Sequence, residues 1–412
     1  MLRWQPCARH PEDLLLARIS FLDIVPWDYD PETPRHRPIG GSQSAVCYLA
    51  AALARLGHQV RLVNGVTDAR TVAGVECLPQ RGAATLPGLD TDAIIVCNNL
   101  PYDLLWSLRH SVGREIPILF WCHHDCTQTA MQVLRDPQYR REIDAFILLS
   151  GWQAASFVNN LGVSPTQIRL QRNAPGPDYR QLWLARGGHI AEKPWPPRLA
   201  YTSTPFRGLD LLLDCFPAIR AAIPGTTLDV FSGMAVYFDP KSRDSFNDLY
   251  DRCRAMAGVA YRDVIAQPQL AAEMQHVSAF AYPCRFPETS CIAAMEALAS
   301  GCLVITSACA ALPETTAGFA TLVPLCYDQS ADPAAFTAAT IAALQRLHPG
   351  APGRAALQTQ LNHQARLFCD ALSWDIRALE WQDMLIDLGA GTRMPPGDRP
   401  QPDTPGFIKS EG

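Results

Sequence analysis

Short, unbroken apolar runs alternate with longer helical patterns along most of this 412-residue chain. The runs Arg18 to Val25 (RISFLDIV), Ala93 to Cys97 (AIIVC), Ile116 to Trp121 (IPILFW) and Ala145 to Leu149 (AFILL) are candidate strands. Continuous apolar strands fit a sheet covered on both faces. Strand and helix in alternation make that sheet mostly parallel. Helices are expected over Gln43–Leu56, Tyr102–His110, Thr127–Tyr139 and Trp152–Leu161. In the first, Val46, Leu49, Ala50, Leu53 and Leu56 fall at helical spacing. Ser42 is its expected N-cap and Ser150 that of the last. Gly57 ends the first helix, and His58 to Val63 makes the next strand, so this opening reads as a βαβ unit.

The pattern restarts after Glu192–Pro197 (EKPWPP), a stiff proline-rich segment and the best domain boundary. Strands follow at Arg198–Ser203, Thr227–Phe231, Val259–Tyr261, Ala279–Tyr282 and Leu303–Ile305, with helices at Leu209–Ala222, Gln267–His276 and Phe336–Leu347. A long helical pattern from Ala355 to Leu388 carries Trp374 and Trp381 on one face. Gly389 to Gly412 is Gly, Pro and polar, and reads as a disordered tail.

Composition narrows the class. Hydrophobic residues make up 48% and charged ones 18%, which is globular, and the net charge of −5 implies no polyanion-binding surface. No apolar run reaches the ~18 residues of a membrane helix. The first residues lack a signal-peptide core, their apolar run being only Leu14 to Ala17. The 14 cysteines are scattered, many inside apolar runs, which fits free thiols in a reducing cytoplasm.

The chemistry concentrates between Cys284 and Thr306 (CRFPETSCIAAMEALASGCLVIT). Pro287 blocks a helix before it, and Thr289 and Ser290 are N-cap types. Ile292 to Ser300 is rich in good helix formers, Gly301 suits the C′ position, and Leu303 to Ile305 is a buried strand. Glu296 sits among small apolar residues, and a buried carboxylate needs a partner. A salt bridge would supply one; so would a ligand rich in hydroxyls. The free N–H groups at the helix start suit an anion. Gly40 and Gly41 also precede a helix and permit close backbone approach to a phosphate. Arg207-Gly208 lies between a strand and a helix, where a cation meets a bound phosphate. Trp121 to Cys126 (WCHHDC) holds metal-ligand residue types, but consecutive ligands cannot all point at one ion, so a polar cleft edge is the better reading.

Glu288, seven residues, Glu296, then Ala-Leu-Ala-Ser-Gly and an apolar strand resembles the signature of retaining glycosyltransferases of family 4. That resemblance implies the GT-B architecture: two Rossmann-like α/β domains facing each other across a cleft, with the C-terminal helix crossing back to the N-terminal domain. The expected divisions are 1–190 for the acceptor domain, 191–370 for the donor domain, 371–389 for the crossover helix and 390–412 for the tail. The resemblance implies that Glu288 lies by the donor sugar and Glu296 on the nucleotide ribose. It further implies that Arg207 neutralises the donor diphosphate and that Gly233 lies beneath the nucleotide. Gly40 and Gly41 match the family's Gly-rich loop, and His124 before Asp125 its histidine loop, with His123 left to packing. Asn173 matches a turn, with Ala174 where the family has Gly. Ser290 and Cys291 stand where the family has an aromatic and Gly, and Thr202 where it has a first phosphate-binding cation, for which Arg285 is a candidate replacement.

The expected activity is therefore a metal-independent, retaining transfer of the hexosyltransferase type that needs no cofactor, since a nucleotide-diphospho-sugar serves as donor substrate. Catalytic candidates are Glu288, His124 and Arg207. Donor-binding candidates are Gly40, Gly41, Gly233, Arg207, Glu288, Thr289, Ser290, Cys291 and Glu296, with no metal ligand. The acceptor stays open among carbohydrate, lipid-linked and protein species, peripheral membrane contact is compatible, and no nucleic acid is implied. A GT-B phosphorylase or epimerase would share the fold. A nicotinamide oxidoreductase would need G-x-G-x-x-G after a first strand, which neither half has. A non-catalytic sugar-nucleotide-binding or scaffold protein is the alternative that Thr202, Ser290 and Cys291 favour.

Overall fold

The computed structural model describes residues 16–80, 90–237, 245–326 and 332–390. The first 15 residues and the expected tail, apart from Gly389 and Ala390, lie outside these. The chain forms two α/β halves. The first sheet contains β1 (Arg18–Asp23), β2 (Gln59–Asn64), β3 (Arg70–Val72), β4 (Val75–Pro79), β5 (Ala93–Cys97), β6 (Ile118–Trp121), β7 (Ala145–Leu148) and β8 (Ile168–Leu170). Its order is β3-β4-β2-β1-β5-β6-β7-β8, and only the β3–β4 pair is antiparallel. The second contains β9 (Arg198–Tyr201), β10 (Thr227–Val230), β11 (Val259–Tyr261), β12 (Ala279–Tyr282), β13 (Leu303–Ser307) and β14 (Thr321–Val323), in the order β11-β10-β9-β12-β13-β14, all parallel. The central strands β5, β6, β7, β12 and β13 are buried along their whole length, as unbroken apolar runs require.

Several local expectations are corrected. Thr127–Tyr139 is not one helix: Asp136 caps a separate short helix at Pro137–Arg141, and Thr129–Arg135 before it is a 3-10 segment. Pro137 removes the N–H that a continuous helix would need. Gly40, not Ser42, is the N-cap of the helix Gly41–Arg55, and Cys291, not Thr289 or Ser290, that of Ile292–Ala299. The Ala355–Leu388 pattern is two helices, Arg354–Arg366 and Trp374–Asp387, joined by a π-turn at Leu367–Ala371. Strands β3, β4 and β14 and the helices Pro177–Ala185 and Asn247–Ala255 were not foreseen.

Two segments join the halves. Tyr179 and Trp183, on the helix Pro177–Ala185, pack in the core of the second half, so the chain crosses over before its proline-rich linker. The helix Trp374–Asp387 packs in the opposite sense: Trp374 and Trp381 are buried in the core of the first half. Trp381 lies edge-on to Trp121 at 4.9 Å, and Trp374 lies 5.9 Å from Tyr48. Glu314 adds a polar tie, accepting the N–H groups of Gly151 (2.9 Å) and Trp152 (2.7 Å) at the start of the helix Gly151–Leu161. Ser150 caps that helix as expected, through the Gln153 N–H.

Candidate active site

In an open parallel sheet, ligands bind beyond the strand carboxyl ends where the strand order reverses. Those points lie between β1 and β5 in the first half and between β9 and β12 in the second. Both open onto two adjoining cavities, of about 220 and 410 Å³, whose walls come from both halves.

Arg207 and Glu288 line both cavities. Arg207 Nη1 donates to Glu288 Oε1 at 2.5 Å, and the hydroxyl of Tyr282, the last residue of β12, donates to the same oxygen at 2.5 Å. Glu288 is 5% exposed. The Arg207 guanidinium also lies over the Phe286 ring at 4.4 Å. Burial is the largest single influence and works against its charge, but Glu288, Tyr282 and Tyr237 together outweigh it and hold the group well above the usual arginine range. Gly208 turns the chain at φ +132°, and a Cβ there would sit 2.2 Å from the Pro283 carbonyl oxygen. The loops after β9 and β12 are therefore in backbone contact, which brings Arg207 to Glu288.

Two helix starts approach each other across the smaller cavity. A methyl on Gly41 would lie 3.8 Å from Ile292 Cδ1, so Gly41–Arg55 of the first half meets Ile292–Ala299 of the second end to end. Each brings unpaired N–H groups and the positive end of a helix dipole. The Gly40 N–H already donates to the Val236 carbonyl at 3.1 Å. Thr289 Oγ1 donates to the His123 carbonyl at 2.9 Å, a second tie across the cleft. Thr289, Ser290 and Cys291 all line this cavity, as does Thr202.

Glu296 is 3% exposed and has no salt bridge among the described residues. It accepts only long hydrogen bonds, from the Gly176 N–H at 3.4 Å and the Tyr179 hydroxyl at 3.3 Å. Burial pushes its carboxyl up to about 8 against the pull of those two donors. A Cβ on Gly176 would meet Glu296 Oε1 (3.2 Å), Gln267 Oε1 (3.4 Å) and the Tyr48 hydroxyl (3.4 Å), so these polar groups converge. Tyr48 Oη and Gln267 Oε1 are buried without a partner among the described residues. Such a cluster costs free energy until a hydroxyl-bearing ligand completes it.

The loop after β6 supplies two histidines. His123 lines both cavities, His124 only the larger. Neither ring nitrogen of His123 has a well-aligned hydrogen-bond partner among the described residues, although the Asn173 side chain lies close enough to favour its charged form. Burial, then the neighbouring His124, pushes His123 down to about 3; burial also lowers His124. Both imidazoles are thus held neutral at pH 7. The metal-type residues of this loop diverge: Cys122 Sγ contacts the His124 carbonyl and Met131, while Asp125 accepts from Thr127. Asn98, just after β5 with φ 60°, fixes the loop by accepting the His123 N–H at 2.7 Å. Asn173, expected in a turn, is 2% exposed, lines the smaller cavity and has an unpartnered Oδ1.

Gly233 lines the smaller cavity, where a Cβ would press on Asp263 and Val264. Arg285 does not replace a missing cation: it is held by Asp210 at 2.6 and 2.7 Å and lines neither cavity. Sequence reasoning missed Tyr282, Asn98, Asp23 and Gln43, which touch or line the site. Three of them end a strand or directly follow one, so the carboxyl-end rule was the available signal.

Residues 197–346 match the family model for glycosyl transferases group 1. No curated protein matches the chain by sequence. Among solved structures, the chain is similar to sucrose-phosphate synthase from Thermosynechococcus elongatus, with 20% identity, TM-score 0.62, and 90% of this chain and 99% of that one covered. It is similar to an α,α-trehalose 6-phosphate synthase from Burkholderia multivorans, at 14% identity, TM-score 0.61, and 91% and 97% coverage. It is also similar to HepE of Anabaena in complex with UDP-glucose, at 12% identity, TM-score 0.57, and 90% and 100% coverage. These likenesses show the fold: two Rossmann-like domains in the GT-B arrangement.

Proposed function

We propose that this chain, carrying a group 1 glycosyl transferase domain over residues 197–346, is a retaining glycosyltransferase of family 4. It would move a sugar from a nucleotide-diphospho-sugar to an acceptor without a metal ion, in glycan or glycoconjugate synthesis. The observation that carries this reading is the convergence of Arg207 and two helix starts on a cavity also lined by Glu288 and Glu296. The UDP-glucose bound to the HepE structure is consistent with such a donor.

In this reading the bond from the anomeric carbon to the phosphate oxygen breaks, and its electron pair leaves with the diphosphate. Arg207 and the helix-start N–H groups stabilise that charge. Glu288, its Oε1 tied by Arg207 and Tyr282, holds the sugar and stabilises positive charge at the anomeric carbon. The acceptor oxygen bonds that carbon from the face the diphosphate leaves, and its proton passes to the departing phosphate oxygen. Glu296 and Gln267, which both line the smaller cavity, take the ribose hydroxyls. Neutral His123 and His124 can exchange hydrogen bonds with sugar hydroxyls without adding charge. Domain walls on both sides exclude water that would hydrolyse the donor.

No helix among the described residues is long and apolar enough to cross a membrane. The 13 described cysteines are free thiols, all but Cys326 buried, and we place the enzyme in the reducing cytoplasm on that pattern.

The test is thermal unfolding against UDP-, GDP-, ADP- and dTDP-sugars, with NAD and NADP as controls. A ligand at ~100 times its dissociation constant adds about 2.7 kcal/mol. We expect one nucleotide sugar to raise the midpoint and Glu296→Gln to abolish the rise. Binding without any turnover would instead support the non-catalytic reading that Thr202 favours, and a shift with NAD alone would refute both.

A further inference from the structure

The larger cavity carries a carboxylate that the donor reading leaves unused. Asp23 ends β1, pairs in register with Cys97 of β5, and lines this cavity at the switch point of the first sheet. It is 1% exposed. Both of its hydrogen bonds fall on one oxygen: the Tyr29 hydroxyl donates to Oδ2 at 2.6 Å and Gln43 Nε2 at 3.1 Å. Oδ1 has no partner among the described residues. The anchors are themselves fixed. Tyr29 is fully buried, and its carbonyl accepts from Asn64 Nδ2 at 2.8 Å. Gln43 sits in the first turn of the helix Gly41–Arg55.

Oδ1 is thus left free to accept from a ligand in the cavity, and three elements hold the group in place. Glu288 and Arg207 line the same cavity, so its occupant would lie beside the donor sugar. Asn98 and the ring of Trp27, 6.4 Å from that of Tyr237, add polar and aromatic surface of the kind that sugars meet. A carboxylate on the wall favours a hydroxyl donor and repels an anionic group.

We propose that Asp23 Oδ1 is an acceptor-binding group, accepting a hydrogen bond from a hydroxyl of an uncharged sugar or glycoside bound in the larger cavity. This rests on the transfer reading above. It differs from a phosphorylated acceptor, whose phosphate Asp23 would repel if it lay against this wall.

The experiment uses the full chain, its preferred nucleotide sugar, and p-nitrophenyl α- and β-glycosides as acceptor probes, with glucose 6-phosphate as the charged comparison. Asp23→Asn keeps the shape and loses the charge. Its kcat/KM for the glycoside should fall at least about 30-fold, carried by the acceptor KM, while the donor-induced rise in midpoint is unchanged. Tyr29→Phe removes an anchor and leaves Oδ1 in place; it should stay within about fivefold of wild type. Wild-type efficiency in Asp23→Asn would overturn the proposal. So would equal losses in both variants, which would mark Asp23 as a structural partner of Tyr29. A wild type that binds nucleotide sugar but uses only glucose 6-phosphate, or no glycoside, overturns the acceptor class. A wild type that no nucleotide sugar stabilises takes down the transfer reading, and this inference with it.

Discussion

Arg207 and Glu288 meet at 2.5 Å, one from the loop after β9 and the other from the loop after β12. They are 81 residues apart in the chain. The pair joins the two ends of the bond that the proposed reaction breaks: the cation for the diphosphate, the carboxylate for the sugar. Each also keeps the other's charge tolerable in a mostly buried place.

Arg207→Ala and Glu288→Gln should therefore each lower transfer at least tenfold, or ~1.4 kcal/mol. Because each variant already disrupts the shared contact, the double variant should lose less than the sum of the two. Steady-state rates of the three variants check this. Strictly additive losses would mean that the two side chains act independently.

Stability should fall with pH in a window set by Glu296. Its carboxyl is pushed up to about 8 by burial, against ~4.3 in an unfolded chain. The folded state therefore keeps a proton that the unfolded state releases. This contribution is complete below the unfolded value and is lost as pH rises through 8, at up to ~1.4 kcal/mol per pH unit. Denaturant titrations at several pH values should show that slope in wild type and a flatter line in Glu296→Gln. A wild-type stability that rises across the same window would contradict the burial of an acid here.

Gly208→Ala should destabilise by about 2 kcal/mol or more. Its φ of +132° disfavours any side chain, and the new Cβ would meet the Pro283 carbonyl at 2.2 Å. Backbone on both sides would have to move, separating Arg207 from Glu288, so activity should fall along with the melting temperature. A variant as stable and active as wild type would show that the two loops are not in contact.

Trp381→Ala should cost about 3–5 kcal/mol, in the range of large buried aromatic deletions. The side chain is 1% exposed and packs edge-on against Trp121. It ties the last helix to the first half, so the variant should also expose that half to protease earlier than the second. Calorimetry and limited proteolysis read the two effects. A loss confined to the second half would assign the helix to the wrong partner.

Much of the architecture was legible because it rests on short-range chemistry. Apolar runs with intervening helical spacing specify βα units, and the Glu288–Glu296 stretch lies in one loop-helix-strand whose ends are marked by Pro287 and Gly301. Local pattern was weakest where segments are short or interrupted: β3, β4 and β14 span few residues, and the break at Asp136-Pro137 divides an apparently helical stretch.

Three further matters rested on contacts between residues far apart in the chain. Arg285 looked like a second phosphate cation until Asp210, 75 residues away, was seen to hold it. His123 and His124 are chemically alike, and only the packing of the β6 loop against Asn98 and Thr289 tells which of them lines both cavities. Asp23 looked like an interior residue of the strand Arg18 to Val25, which in fact ends at Asp23. Its free oxygen faces a cavity that Glu288 also lines because two sheets, each following its own local code, place their switch points against one cleft. Burial and electrostatics sum over everything nearby in space, so residues such as Glu296 acquire their chemistry only when Gly176, Tyr179 and Tyr48 are folded around them.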